Sequence, residues 1–148
     1  MRIYLDTSAI NRIFDDQSQP RIFLESSAMI TILAMIENRA FSLVSSEVLI
    51  FENSRNPFDE RRIFVSSVLA HARIIQTLNP YLLKQAQHIE STYGIAGCDA
   101  LHLACAEKLK CGHFITCDDR IIRRYQGIVK AVNPIQFSIE VIKESGND

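Results

Sequence analysis

The chain has 148 residues, 47% hydrophobic and 22% charged, with five glycines and four prolines. That make-up fits a soluble globular domain with its own apolar core, and no repeat or low-complexity tract divides it, so a single domain over residues 1–148 is expected. A formal net charge of −1 excludes capture of nucleic acid by a global basic field, and any phosphate contact must come from a local patch.

In chain order, Ile3 to Leu5 reads as a short buried strand closed by Asp6-Thr7-Ser8, where Thr7 or Ser8 can cap a following helix. Asp15 to Pro20 is a polar loop, and Pro20 suits the first turn of a helix running from Arg21 to about Asn38. Phe23, Leu24, Ala28, Ile32, Met35 and Ile36 form its apolar stripe; Met29 to Ile36 is read as core, with a dimer face as the alternative. Phe41 to Val44 is a second strand, and Ser45 or Ser46 caps a helix carrying Glu47 near its start and Glu52 further along. That helix ends before Pro57, because the residue preceding proline avoids helical geometry.

Phe58 to His71 is a helix and Arg73 to Leu78 a short third strand. Pro80 opens a helix that stops at Tyr93-Gly94, where glycine can take the left-handed conformation. Asp99 to Ala106 belongs to a largely apolar helix ending near Cys111-Gly112. His113 to Cys117 is a fourth strand, Arg120 to Tyr125 a short helix, Ile128 to Val132 a fifth strand, and Pro134 to about Glu144 a last helix. This alternation predicts an α/β fold: a three-layer α/β/α sandwich around a mainly parallel sheet of about five strands.

Asp6 and Asp118 each follow an apolar strand directly, Asp99 opens a helix, and Glu52 follows Val48-Leu49-Ile50-Phe51. Each has an ordinary explanation taken singly. Asp6 and Asp118 suit helix N-caps, and Asp99 suits the first turn, where the helix dipole favours an acid. Those explanations do not account for convergence: in a parallel sheet, residues past the carboxyl ends of strands meet in one crevice. Carboxylates gathered there repel one another unless a hard divalent cation such as Mg²⁺ or Mn²⁺ lies between them. Such ions activate water and stabilise the attacking and leaving oxygens of an in-line phosphodiester displacement. Glu47 competes with Glu52 for a place in this set, and Asp119 with Asp118. Glu52 is preferred because it ends the S-x-x-x-x-x-E pattern that begins at Ser46, and Asp118 because it follows the strand at once.

Leu5-Asp6-Thr7-Ser8, the Glu52 helix, Asp99-Ala100-Leu101-His102-Leu103-Ala104 and Phe114-Ile115-Thr116-Cys117-Asp118 resemble the PIN domain family, which includes the VapC-like toxins. The likeness runs from Met1 to about Asn133, and its third and fourth segments are the most specific. It implies a Mg²⁺- or Mn²⁺-dependent ribonuclease in which Asp6, Glu52, Asp99 and Asp118 form the metal-binding catalytic site. Thr116, with the hydroxyl of Thr7 or Ser8, would support it. The family also implies homodimers and, for toxin members, a small antitoxin partner. Phe14 to Arg21 and Phe51 to Pro57 are less usual for the toxins and look like a stand-alone subgroup.

Among other candidates, Asn11 lies one turn past Thr7 and would line the pocket. Arg21, beside the polar loop, is the preferred contact for an RNA phosphate, with eleven arginines against five lysines in the chain. Arg55, Arg61 and Arg62, and likewise Arg120, Arg123 and Arg124, read as solvated helix faces. His102, one turn past Asp99 on the same helix face, reads as a partly buried helix residue, with a group that supports the metal ligands as the alternative. Cys98, Cys105, Cys111 and Cys117 form no C-x-x-C pair, so neither structural zinc nor a disulfide framework is expected. There is no signal peptide and no apolar run near the ~20 residues that span a bilayer, so a cytoplasmic protein without membrane contact is expected.

Two rivals remain. A silent binding module keeping the same fold would account for the missing basic patch but not for all four acids. A phosphoryl-transfer enzyme with Asp6 as covalent nucleophile would need a second acid two residues on, where Ser8 stands.

Overall fold

The computed structural model describes residues 1–146; residues 147 and 148, the end of the expected domain, lie outside the described residues. Thirteen regular elements follow one another: β1 (Arg2–Leu5), α1 (Thr7–Ile10), α2 (Pro20–Glu37), β2 (Ser42–Ser46), α3 (Glu47–Ser54), α4 (Asp59–Leu69), β3 (Ile74–Gln76), α5 (Pro80–Tyr93), α6 (Gly97–Lys108), β4 (His113–Ile115), α7 (Asp119–Arg124), β5 (Lys130–Val132) and α8 (Pro134–Gly146). A 3-10 turn at Asn11–Phe14 continues α1.

The five strands are all parallel, in the order β3-β2-β1-β4-β5. Successive strand side chains point to opposite faces, yet Ile3, Tyr4 and Leu5 are all completely buried, so helices must cover both sides of the central strand. Helix α2 packs on α8, and α5 on α6. At the centre the Tyr4 ring stacks on Phe114, with centroids 5.4 Å apart. The α/β/α expectation holds.

The strand order positions the site. From β1 the chain moves outward through β2 to β3, then crosses back to β4 on the other side of β1. The carboxyl ends of β1 and β4 are therefore the topological switch point, where an open α/β sheet leaves a crevice. Leu5 pairs with Ile115 in register, so Asp6 and Thr116 are the next residues on both chains.

Local signals fix most element ends. Ser46 Oγ accepts the Leu49 N–H at 3.1 Å and caps α3; Asn79 Oδ1 accepts the Leu82 N–H at 3.0 Å and, with Pro80, starts α5. Gly94 ends α5 at φ +70°, and a Cβ there would meet Arg124 Nη1 at 3.9 Å, an ordinary van der Waals contact. Gly94→Ala should therefore lose about 1 kcal/mol of stability through backbone conformation alone, read as a lowered urea midpoint with an unchanged slope.

Helix α2 departs from the expected stripe. Phe23 and Leu24 are 56% and 54% exposed, and the buried residues are Ile22, Glu25, Ser26, Ala28, Met29, Ile32 and Ile36, of which Ala28, Ile32 and Ile36 belong to the expected stripe. An acid stands among them because its charge is met. Glu25 is completely buried and receives Arg12, Arg21 and the Asn133 amide. Met29 and Ile32 are core, as read from the sequence. All four cysteines are free, and among the described residues no helix is long and apolar enough to cross a membrane.

Candidate active site

Asp6 sits where β1 hands over to α1, its N–H bonded to Ile115 O of β4 at 2.9 Å. It occupies the N-cap position of α1 but its side chain caps nothing, contrary to the ordinary explanation offered by sequence. Thr7 and Ser8 are not caps either; they lie inside α1 and turn their hydroxyls to acids. Ser8 Oγ and Thr116 Oγ1 each donate to Asp6 Oδ2 at 2.8 Å. Both donors reach the same oxygen, and Oδ1 receives no hydrogen bond from the described residues. Asp6 is thus 5% exposed, held rigidly by one oxygen, with the other free for a ligand.

Thr7 donates to Glu52 Oε1 from below. The other oxygen, Oε2, faces Nε2 of His102 at 3.3 Å. His102 is completely buried, and its Nδ1 meets the Tyr4 hydroxyl at 2.6 Å, which in turn lies 2.7 Å from Ser46 Oγ. Burial pushes the Glu52 carboxyl up, but the His102 ring and the Thr7 hydroxyl outweigh it and hold Glu52 below the usual range. Asp6, Glu52 and His102 each bring a ligand atom within 4.8 Å of the others. Glu47, the alternative to Glu52, stands at the exposed start of α3.

Asp99 and Asp118 belong to the same crevice but not to that tight triplet. Asp118 is the N-cap of α7, accepting the Arg120 N–H at 2.9 Å, as its ordinary explanation held. The Arg120 guanidinium lies 3.3 Å from Asp118 and 3.5 Å from Asp99, linking the two. Burial raises the Asp99 carboxyl, and the charges of Asp6, Asp118 and Glu52 raise it further, against a smaller pull from His102. Repulsion among the four acids is thus a property of the folded chain. Thr116 Oγ1 also receives the Asp118 N–H at 3.1 Å, joining the β4 end to Asp6.

The remaining candidates divide. Asn11 lines a recess that shares Thr7 and Glu52 with the acids. Arg21 and Asp119 engage each other in a two-pronged ion pair of 2.7 and 2.6 Å; neither points at the acid cluster in this arrangement. Sequence reading gave Tyr4 no role, Ser46 only a cap, and His102 a support of the metal ligands only as its second reading; the structure buries His102 completely. His102 stands one helical turn after Asp99, and that spacing is the one local hint of its position.

The donor set suits a hard divalent cation. Carboxylate oxygens make up the set, one of them unpartnered, and the His102 Nε2 faces Glu52 and orients it. Parallel sheet, switch-point crevice and converging acids together give an α/β protein with a partly buried acidic cluster at the ends of its central strands. The PIN domain profile matches residues 3–127, and the chain belongs to the PIN domain family, whose members are generally nucleases. No curated protein sequence matches it.

Among solved structures the chain is similar to VapBC2 from Rickettsia felis bound to a DNA fragment from their promoter: TM-score 0.58, 12% identity, 90% of this chain and 98% of that one. It is also similar to FitAcB from Neisseria gonorrhoeae, with TM-score 0.59, 18% identity, and 89% and 97% coverage. PAE2754 from Pyrobaculum aerophilum gives 0.55, 14%, 97% and 99%. Identities this low establish a shared fold.

Proposed function

We propose that this protein is a Mg²⁺- or Mn²⁺-dependent endoribonuclease that hydrolyses single-stranded RNA at the crevice bounded by Asp6, Glu52, Asp99 and Asp118. One observation carries the reading: the buried Asp6 has two hydroxyls fixed on Oδ2 and a bare Oδ1, and its charge adds to those of Asp118 and Glu52 on Asp99. An acid so placed costs stability unless a cation shares it. When bound, the metal would stabilise the charge that develops on the oxygens of the phosphodiester.

The protein's own groups hold the acids in place. Ser8 and Thr116 aim Asp6, Thr7 and His102 aim Glu52, and Arg120 carries positive charge to the Asp99–Asp118 rim. Arg21 would meet the RNA backbone only by leaving Asp119, an exposed pair of small energetic weight.

The likeness to VapBC2 and FitAcB supports a toxin role with a small antitoxin partner. A homodimer in the cytoplasm, built from one domain per chain, completes the proposal; Phe23, Leu24 and Ile30 on α2 are exposed apolar side chains that pairing can cover.

Purified protein incubated with mixed-sequence single-stranded RNA should cleave it with Mn²⁺ or Mg²⁺ and stop on addition of EDTA. Cleavage that persists in EDTA would exclude the metal-dependent reading. Metal binding without cleavage of any RNA would favour a binding module of the same fold.

A further inference from the structure

Beside the acids lies a recess of about 300 Å³, at the small end of ligand pockets. Thr7 and Glu52 line one side of it, so it adjoins the acid crevice. Its outer wall is the turn Arg55-Asn56-Pro57-Phe58, part of the segment that departs from the usual toxin pattern. We infer that this recess is a base-binding subsite, which takes one unpaired nucleobase of the RNA next to the phosphate being cut. The inference rests on the nuclease reading above.

Four features point to a nucleobase. Phe58 is 62% exposed at the rim although a large aromatic side chain gains from cover. The backbone that carries it is fixed, because Phe58 N–H donates to Asn56 Oδ1 at 3.0 Å and Arg62 Nη1 donates to Asn56 O at 2.9 Å. The Arg61 guanidinium is centred 5.5 Å from the Phe58 ring and 5.7 Å from Phe14, and its donors are tied to Asp15 and Phe14 O. That makes a rigid aromatic and guanidinium surface, the kind on which unpaired bases stack.

The other two features are polar. Asn11 makes no side-chain hydrogen bond among the described residues, and its Oδ1 is buried without a donor. An amide left unpaired in a recess is costly unless a ligand edge completes it. Arg55 is exposed and lies over Phe51 at 5.5 Å, with no ion-pair partner among the described residues. It is placed to meet the phosphate that follows the bound base. Stacking surface, edge-reading amide and free cation, adjoining an acid crevice, match a nucleotide better than a peptide side chain.

The test uses short single-stranded RNAs carrying 2-aminopurine, bound to the full-length protein in Ca²⁺, with cleavage measured separately in Mn²⁺. Fluorescence of the probe should fall on binding to the wild type, reporting stacking. Phe58→Ala should weaken RNA binding and raise KM about ten-fold, while Mn²⁺ affinity measured by calorimetry stays the same. Phe58→Tyr should restore both. Arg55→Ala should lower the salt dependence of binding by about one phosphate contact.

Unchanged affinity and fluorescence in Phe58→Ala, with RNA still cut, would overturn the subsite and leave the nuclease reading standing. The same result with lost binding of a protein partner would reassign the recess to protein docking. Failure of the wild type to bind or cut any RNA would overturn both.

Discussion

Asp6→Asn should fold normally and lose metal-dependent RNA cleavage by a factor on the order of 10³ in kcat/KM, the scale of removing one preorganised charge-stabilising group. The substitution is nearly isosteric. Both hydroxyls that fix Asp6 donate to one oxygen, and the amide oxygen of asparagine can accept them there. What disappears is the negative charge and the bare oxygen offered to a cation. Stability without metal should not fall. After burial itself, the charge of Asp6 does most to raise the Asp99 carboxyl. The unfolded chain gives up that Asp99 proton more readily than the folded one, so apo stability declines as pH rises from the ordinary carboxylate range to the raised value. Removing Asp6 weakens that decline, and in EDTA at neutral pH the variant should melt at or above the wild type. A variant that cuts RNA at the wild-type rate would remove Asp6 from the site.

Tyr4→Phe should have the second largest effect, although Tyr4 touches neither acid nor substrate. The Leu49 N–H can only donate and the ionised Glu52 can only accept, which orders the buried chain between them. Leu49 N–H donates to Ser46, Ser46 to Tyr4, Tyr4 to Nδ1 of His102, and Nε2–H to Glu52. Burial holds the Tyr4 phenol well above its usual range, so it keeps the proton it donates. The chain begins and ends on α3 and passes through β1 and α6. Phenylalanine keeps the stack on Phe114 and the edge contact with His102, whose centroids are 5.4 and 5.6 Å away, and deletes one oxygen. Ser46 and His102 each lose a partner in a dry site, at a cost of about 1–3 kcal/mol. With His102 no longer held, Mn²⁺ affinity should fall about 10–100-fold, as for other groups that orient metal ligands. Calorimetric titration and urea unfolding separate the two effects. Lost stability with unchanged Mn²⁺ affinity would reduce the chain to a structural role.

The sequence made the sheet legible because the signals that build it are local. Short apolar runs alternate with helices begun by Ser46, Asn79 and Pro80 and ended by Gly94, and each of those signals acts within a few residues. Asp6 follows β1 directly, as its local pattern suggested; β4 ends at Ile115, short of the expected Cys117, so Asp118 stands three residues beyond the strand as the N-cap of α7. What sequence could not show depends on distant partners. His102 is buried only because its two nitrogens meet residues 98 and 50 positions away. Glu25 could not be read as buried without knowing that Arg12, Arg21 and Asn133 close around it. Its burial turns α2 so that Phe23 and Leu24 face outward, against their hydrophobicity. From local pattern Thr7 and Ser8 read as caps, and only the family resemblance pointed one of their hydroxyls at the site; their acceptors, Glu52 and Asp6, come together only in the fold.

The central claim is that a divalent cation sits among these acids. Crystals soaked in Mn²⁺ and measured across the manganese absorption edge test it without reference to any substrate. The account predicts an anomalous peak within bonding distance of Asp6 Oδ1, with oxygens from the neighbouring acids completing the shell, and no such peak in Asp6→Asn crystals. A manganese ion bound elsewhere, or no peak here in a preparation that cuts RNA, would contradict it.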